Sequence, residues 1–340
     1  MLRFQWILIG LLALTACAPL ATHTPQPSAT PIPRLAPTAL SSPTALHLPT
    51  LTRPPAPTLT SAPTVTSAPA VTSTPSATPD TRLPPDQWQD WPVIPALSAK
   101  ARTLYQAGLA GGNHPHAFSK IGDCQNITSH FLGAFDDPRQ YKLGPTFEPL
   151  QSVIDQFKGM FNRESAAVRA GFNVAAVLSP LQADPDVCKS GENPVTCELR
   201  LNRPSIVLIS METWWAKKPA QEYEKYMRQI LDLVIAQKTL PILATKADNL
   251  EGDHSVNATL AKLAYEYDIP LWNFWKAVQP LPGAGVTADG FHLTHASDRP
   301  DDPLLYRRLS EPAALTLGWP VRNLTALQTL NSIWRSASQP

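Results

Sequence analysis

The chain has 340 residues, with 28 Lys and Arg against 27 Asp and Glu and a formal net charge of +1. Such a balance supplies no basic face for phosphates and argues against a nucleic-acid partner. No glycine loop of the nucleotide-binding type is present, and nothing implies a cofactor.

The N-terminus speaks to the compartment. Arg3 precedes an apolar run from Trp6 to Leu14, too short to span a bilayer as a mature helix. A positive residue ahead of such a run is the pattern of a signal peptide. The Leu14-Thr15-Ala16-Cys17 stretch that follows resembles the lipobox read by the lipoprotein maturation enzymes. That resemblance implies processing within residues 1–17 to leave a lipid on Cys17. The mature chain would then be exported and held to a bacterial cell membrane, with its domain extracellular or periplasmic. The alternative is an ordinary signal peptide with a cysteine near its cleavage site.

Residues 18–85 change character. Proline accounts for 17 of these 68 positions, Thr, Ser and Ala dominate the rest, and no acidic residue occurs before Asp80. Apolar groups this sparse do not offset the entropy of ordering a backbone. A short repeat runs through Thr60-Ser61-Ala62-Pro63-Thr64-Val65 and Thr66-Ser67-Ala68-Pro69-Ala70-Val71, with a looser copy from Thr72. The composition predicts a disordered, extended spacer at ~3 Å per residue, approaching ~200 Å when fully stretched.

Residues 86–340 are long enough for one domain with a substantial core. In chain order, Leu97, Ala101, Leu104 and Tyr105 predict a helix that stops by Gly111-Gly112. Ala117–Ile121 predicts a short buried strand. Leu150, Val153, Ile154, Phe157 and Phe161 have helical spacing. Ser205–Ser210 is a continuous apolar run, as in a strand covered on both faces. Tyr223, Met227, Ile230, Leu231 and Val234 predict the next helix. Leu240–Thr245 and Ile269–Phe274 read as strands around a helix containing Leu260, Leu263 and Tyr267, and Leu324, Leu327, Leu330 and Trp334 close the chain as a helix. Alternating strands and helices predict an α/β fold with a parallel sheet covered on both faces, its sites beyond the carboxyl ends of the strands. Cys188 and Cys197 flank a loop rich in turn formers, and in an exported protein they are expected to form a disulfide. Cys124 is left over.

Candidate chemistry lies at the expected strand ends. Lys120-Ile121-Gly122-Asp123-Cys124 closes the first strand, and Asp289-Gly290-Phe291-His292 comes late. In this order the two motifs resemble those of the SGNH/GDSL hydrolases, esterases and lipases with a three-layer, flavodoxin-like α/β/α fold. The similarity covers most of residues 118–330. It implies a nucleophile at Cys124, a general base at His292 and an orienting carboxylate at Asp289. It also implies oxyanion donors from the backbone of the nucleophile, from a glycine best matched by Gly171, and from an asparagine whose position here holds Trp214; Asn173 is a substitute donor.

The chain departs from that family twice, with cysteine for serine and tryptophan for asparagine. A cysteine beside a histidine is a competent nucleophile for activated esters and thioesters. Loss of one oxyanion donor costs on the order of 3–4 kcal/mol of barrier. Two readings therefore stand. One is an ester or thioester hydrolase or acyltransferase acting on surface material such as acylated glycans. The other is a catalytically silent module that binds a glycan or another cell-surface ligand, offering Trp214, Trp215, Trp272 and Trp275 as stacking faces. The His114/His116 and His292/His295 pairs lack a recognised ligand set and read as loop histidines rather than metal ligands. Asn126, Asn257 and Asn323 match the glycosylation acceptor pattern by coincidence.

Overall fold

A computed structural model describes residues 82–214, 218–295 and 308–338. Cys17 and nearly all of the proline-rich stretch lie outside these residues, as does Trp215. Among the described residues no helix is long and apolar enough to cross a membrane.

The helices, in chain order, are α1 (Ala99–Ala110), α2 (Gly144–Phe147), α3 (Gln151–Gln156), α4 (Pro194–Asn202), α5 (Ala220–Ala236), α6 (Ser255–Tyr267), α7 (Phe274–Val278) and α8 (Gly318–Ser338). The strands are β1 (His114–Gly122), β2 (Pro204–Ser210), β3 (Leu240–Ala244) and β4 (Leu271–Trp272). They form one parallel sheet in the order β1-β2-β3-β4. Outside β1, Val168 makes a single parallel bridge to Gly122.

Strand alternation divides the core into two layers. Phe118, Ile206, Leu208, Leu240, Ile242 and Trp272 point to one face, where α1, α3, α7 and α8 cover them. Ile121, Val207, Ile209, Leu243 and Leu271 point to the other, against α4, α5 and α6. The result is the three-layer α/β/α arrangement expected from the alternating elements. All seven residues of β2 are buried. Covering each of its Ile, Val and Leu side chains stabilises the fold by ~1.5–3 kcal/mol, which makes β2 the anchor of the sheet.

Local signals explain the boundaries. The Ser98 hydroxyl caps α1 by accepting from the Ala101 amide. Asn193 and Thr196 form a reciprocal capping box at α4. The helix expected across residues 150–161 is shorter: α3 ends at Gln156 and Gly159 turns the chain with φ +88°. The Asp136 carboxylate accepts from the amides of Gly159 and Asn162, so Phe157 and Phe161 reach the core from a turn rather than a helix. The strand expected over 269–274 is likewise cut to two residues, because Asn273 caps α7 with its side chain.

Cys188 and Cys197 form the expected disulfide, with Cα atoms 5.3 Å apart. It ties the preceding loop to the buried first half of α4, and closing so short a loop contributes ~2–3 kcal/mol. At the other end of the domain, Arg82 pairs with Asp268 at 2.9 Å and lies over the Tyr265 ring.

Candidate active site at the carboxyl ends of the strands

Register aligns the ends of the strands: Gly122 pairs with Ser210, and Ala244 with Trp272. The residues just beyond them therefore share one end of the sheet. Gly122 is required by close approach, since a Cβ there would lie 1.9 Å from the Asn126 amide nitrogen and 2.7 Å from the Ser210 carbonyl. Asn126 Nδ2 donates to that same carbonyl at 2.8 Å. The turn carrying Cys124 is thus fastened to β2 through its own side chain.

Asp123 is fully buried and acts as a clamp. Its Oδ1 accepts from the Gln125 amide at 3.0 Å. Its Oδ2 accepts from the amides of Glu212 and Thr213, both at 2.8 Å, and from the Thr213 hydroxyl at 2.9 Å. The loop after β2 is held against the Cys124 turn by this one carboxylate.

Cys124 is half-buried and carries a free thiol. Burial, then the neighbouring carboxylates of Asp123 and Glu212, push its pKa up to about 11. At neutral pH the resting group is the thiol, not the thiolate.

The late motif forms a compact turn between Val286 and Leu293, which pair as an antiparallel bridge. Gly290 adopts φ +72°, which residues with a Cβ adopt only under strain, and this closes the turn. Asp289 Oδ1 accepts from the Thr287 hydroxyl and from the amides of Phe291 and His292. Its Oδ2 lies 2.6 Å from His292 Nδ1. The Thr287 hydroxyl first, and then His292, hold this carboxyl well below the usual carboxylate range. Asp289 thereby holds the His292 ring by its Nδ1 side. Gln125 Nε2 donates to the Phe291 carbonyl at 3.1 Å, which latches this turn to the residue after the thiol. Among the described residues no hydrogen bond joins Cys124 Sγ to the His292 ring.

The expected oxyanion residues lie beside the single-residue bridge. Gly171 is exposed in a left-handed turn just after Val168. Asn173 Oδ1 accepts from the amides of Ala175 and Ala176, so its donor end has no partner among the described residues. Trp214 is instead part of the core. It is 3% exposed and packs edge-on against Tyr223 at 5.5 Å. Trp272 is fully buried, and Trp275 packs against Trp88 and His254. Neither Trp214 nor Trp272 offers an open ring face.

Beneath the clamp lies an ion pair that the sequence reading missed. Arg322 on α8 is fully buried and sits 2.8 Å from Glu212 Oε1. Its Nη2 donates to the Ser210 hydroxyl, which in turn donates to Glu212. The guanidinium lies over the rings of Phe131, Phe274 and Trp272 at 4.8–5.4 Å. Burial pushes Glu212 up to about 7 against the opposing pull of Arg322. A signal was present in the sequence: Arg322 interrupts the helical stripe Trp319, Ala326, Leu330, Ile333, Ala337. A second buried cluster follows β3, where Lys246 pairs with Asp248 and Glu251 at 2.6 Å.

His114 and His116 lie at the opposite end of β1 from this site. Cys188, Glu192 and Cys197 converge within metal-binding reach, but the two sulfurs are bonded to one another. Asn126, Asn257 and Asn323 are all buried and each donates its Nδ2 to a backbone carbonyl, so none presents an acceptor for a sugar. In comparisons with protein-family models and with curated proteins, nothing matches this chain.

Proposed function

We propose that the protein is an exported, lipid-anchored hydrolase of the SGNH/GDSL type, acting on ester or thioester bonds or transferring the acyl group to an acceptor. Cys17 carries the lipid, residues 18–85 space the domain from the membrane, and Cys124, His292 and Asp289 perform the chemistry. The observation that carries this reading is the 2.6 Å Asp289–His292 contact on a turn latched to Gln125, the neighbour of the thiol.

The mechanism follows serine-hydrolase logic, because the resting nucleophile is protonated. His292 Nε2 removes the Cys124 proton as sulfur attacks the acyl carbon. The tetrahedral oxyanion draws on backbone N–H groups at Cys124 and Gly171 and on the open Nδ2 of Asn173. Collapse releases the alcohol or thiol, which takes the proton from His292, and leaves a thioester on Cys124. Water, or an acceptor hydroxyl on a glycan, then attacks that thioester with His292 again as base.

The second reading is a silent module that binds a glycan or another cell-surface ligand. The high pKa of the thiol and the burial of Trp214 at the position of a family donor favour it. Turnover of p-nitrophenyl acetate and of a small thioester separates the two. Wild type and Cys124→Ser are expected to hydrolyse the oxygen ester, and Cys124→Ala to be inert. A folded wild type that is inert on both substrates supports the silent module. Anchoring is tested independently: Cys17→Ala is expected to move the protein from the membrane fraction to the soluble fraction.

A further inference from the structure

Gly122, the last residue of β1, is paired on both edges: with Ser210 of β2 on one side and with Val168 on the other. The residues that follow those partners therefore border the Cys124 turn from opposite sides. On the Val168 side, the Arg169 amide donates to the Gly122 carbonyl at 3.4 Å. On the β2 side, the amides of Glu212 and Thr213 donate to Asp123. Each border carries a cation at the surface, Arg169 on one and Lys218 on the other.

Both cations are held against a buried ring. The Arg169 guanidinium lies 4.3 Å from the centre of the Phe172 ring, and Phe172 stands between Gly171 and Asn173. Its Nη2 donates to the backbone and side-chain oxygens of Gln182 at 2.8 and 2.7 Å. Its Nε and Nη1 have no partner among the described residues. The Lys218 ammonium lies 5.2 Å from the centre of the Trp214 ring, whose indole N–H donates to the Lys218 carbonyl. Among the described residues no carboxylate lies within ion-pair distance of either cation. The carboxylates of the site are engaged elsewhere: Asp123 by amides, Glu212 by Arg322, and Asp289 by Thr287 and His292. An arginine held in this way keeps a planar donor fork ready for a carboxylate or phosphate and loses little side-chain entropy in using it.

We propose that Arg169 and Lys218 form a two-point subsite for anionic groups, carboxylate or phosphate, on a glycan chain that lies across the Cys124 turn. The substrate class this defines is an acidic cell-surface polysaccharide bearing acyl esters, with charges on the units that flank the acylated one. Two cations on opposite sides of the turn match a charged polymer better than a small monoanion, whose single charge reaches only one of them. The feature is local, since the whole chain carries a net charge of only +1. The ester as the reacting bond rests on the proposed function; binding of the chain does not require turnover.

The test is isothermal titration calorimetry of the detergent-solubilised full-length protein with tetragalacturonate, with a short glycerol phosphate oligomer and with a neutral galactose tetramer. At least one charged probe is expected to bind and the neutral one not, with affinity falling as ionic strength rises. The tighter of the two charged probes tells carboxylate from phosphate. Arg169→Gln is expected to weaken that binding about ten-fold, the scale of one charge-assisted contact, and Lys218→Gln about three-fold. Arg169→Lys, which restores the charge without the fork, is expected to recover part of the loss. Equal binding of the neutral probe, no binding of either charged probe by the folded protein, or variants that bind as wild type would overturn the proposal. Turnover of p-nitrophenyl acetate is read beside it. A protein that binds a charged probe but is inert on the ester keeps the subsite and loses the hydrolase. One that hydrolyses the ester and binds neither charged probe loses the subsite alone.

Discussion

Gln125 donates from its side chain to the carbonyl of Phe291, and this 3.1 Å bond joins the turn that bears the thiol to the turn that bears the Asp289–His292 pair. The two turns are 166 residues apart in the chain. Gln125 is itself buried, so the donor end of the bond is shielded from competing water.

Removing that latch should loosen catalysis more than the fold. Gln125→Leu keeps most of the buried volume and deletes the donor. A lost hydrogen bond of this kind contributes roughly 1 kcal/mol, so kcat/KM on a p-nitrophenyl ester is expected to fall about five- to ten-fold, with KM nearly unchanged. Steady-state kinetics beside a denaturation curve check it; equal kcat/KM in the two proteins would show that the latch does not position the base.

Arg322→Met leaves Glu212 as a buried carboxylate without its cation. Breaking a buried pair from one side typically costs ~3–5 kcal/mol. Adding Glu212→Gln to the same chain is expected to recover most of that loss, because an uncharged amide does not need the guanidinium. Urea denaturation of the single and double variants measures both, and a double variant no more stable than the single would contradict the assignment.

Lys120 gives a pH signature. Its ammonium is buried in β1 with one acceptor, the Phe161 carbonyl at 2.9 Å, and burial followed by repulsion from Arg163 lowers its pKa from 10.5 to about 7. The folded state therefore releases this proton more readily than the unfolded chain. The contribution to stability is full above about pH 10.5 and is lost as pH falls toward 7, below which it stays flat. Lys120→Met removes the titrating group, so wild-type stability relative to the variant is expected to rise from pH 7 to pH 10. Guanidinium denaturation at the two pH values checks the sign. A pH-independent difference would mean that Lys120 stays charged in the fold.

Much of the fold was legible in the sequence because burial on two sides of a parallel sheet writes continuous apolar runs, as in Ser205–Ser210, and amphipathic stripes, as in Tyr223–Val234. Boundaries were lost where a side chain overrides the periodicity. Asp136 ends the helix before Phe157, and Asn273 converts the end of β4 into a helix cap. The late turn was readable as a motif, since Asp289 and His292 are three residues apart and meet locally. The burial of Trp214 and the pairing of Glu212 with Arg322 were not, because each depends on elements brought together by the sheet, 110 residues apart in the second case. A charge within an apolar helical stripe was the available clue.

The central claim is that Cys124 accepts an acyl group with help from His292. The most direct measurement is mass spectrometry of the Cys124 peptide after brief exposure of the folded protein to p-nitrophenyl acetate, alongside turnover. The account predicts one acetyl group on Cys124 in the wild type and a marked loss of that adduct in His292→Ala. It predicts none on residue 124 in Cys124→Ala. A folded wild type that releases no p-nitrophenol and carries no acetyl group on Cys124 would contradict it.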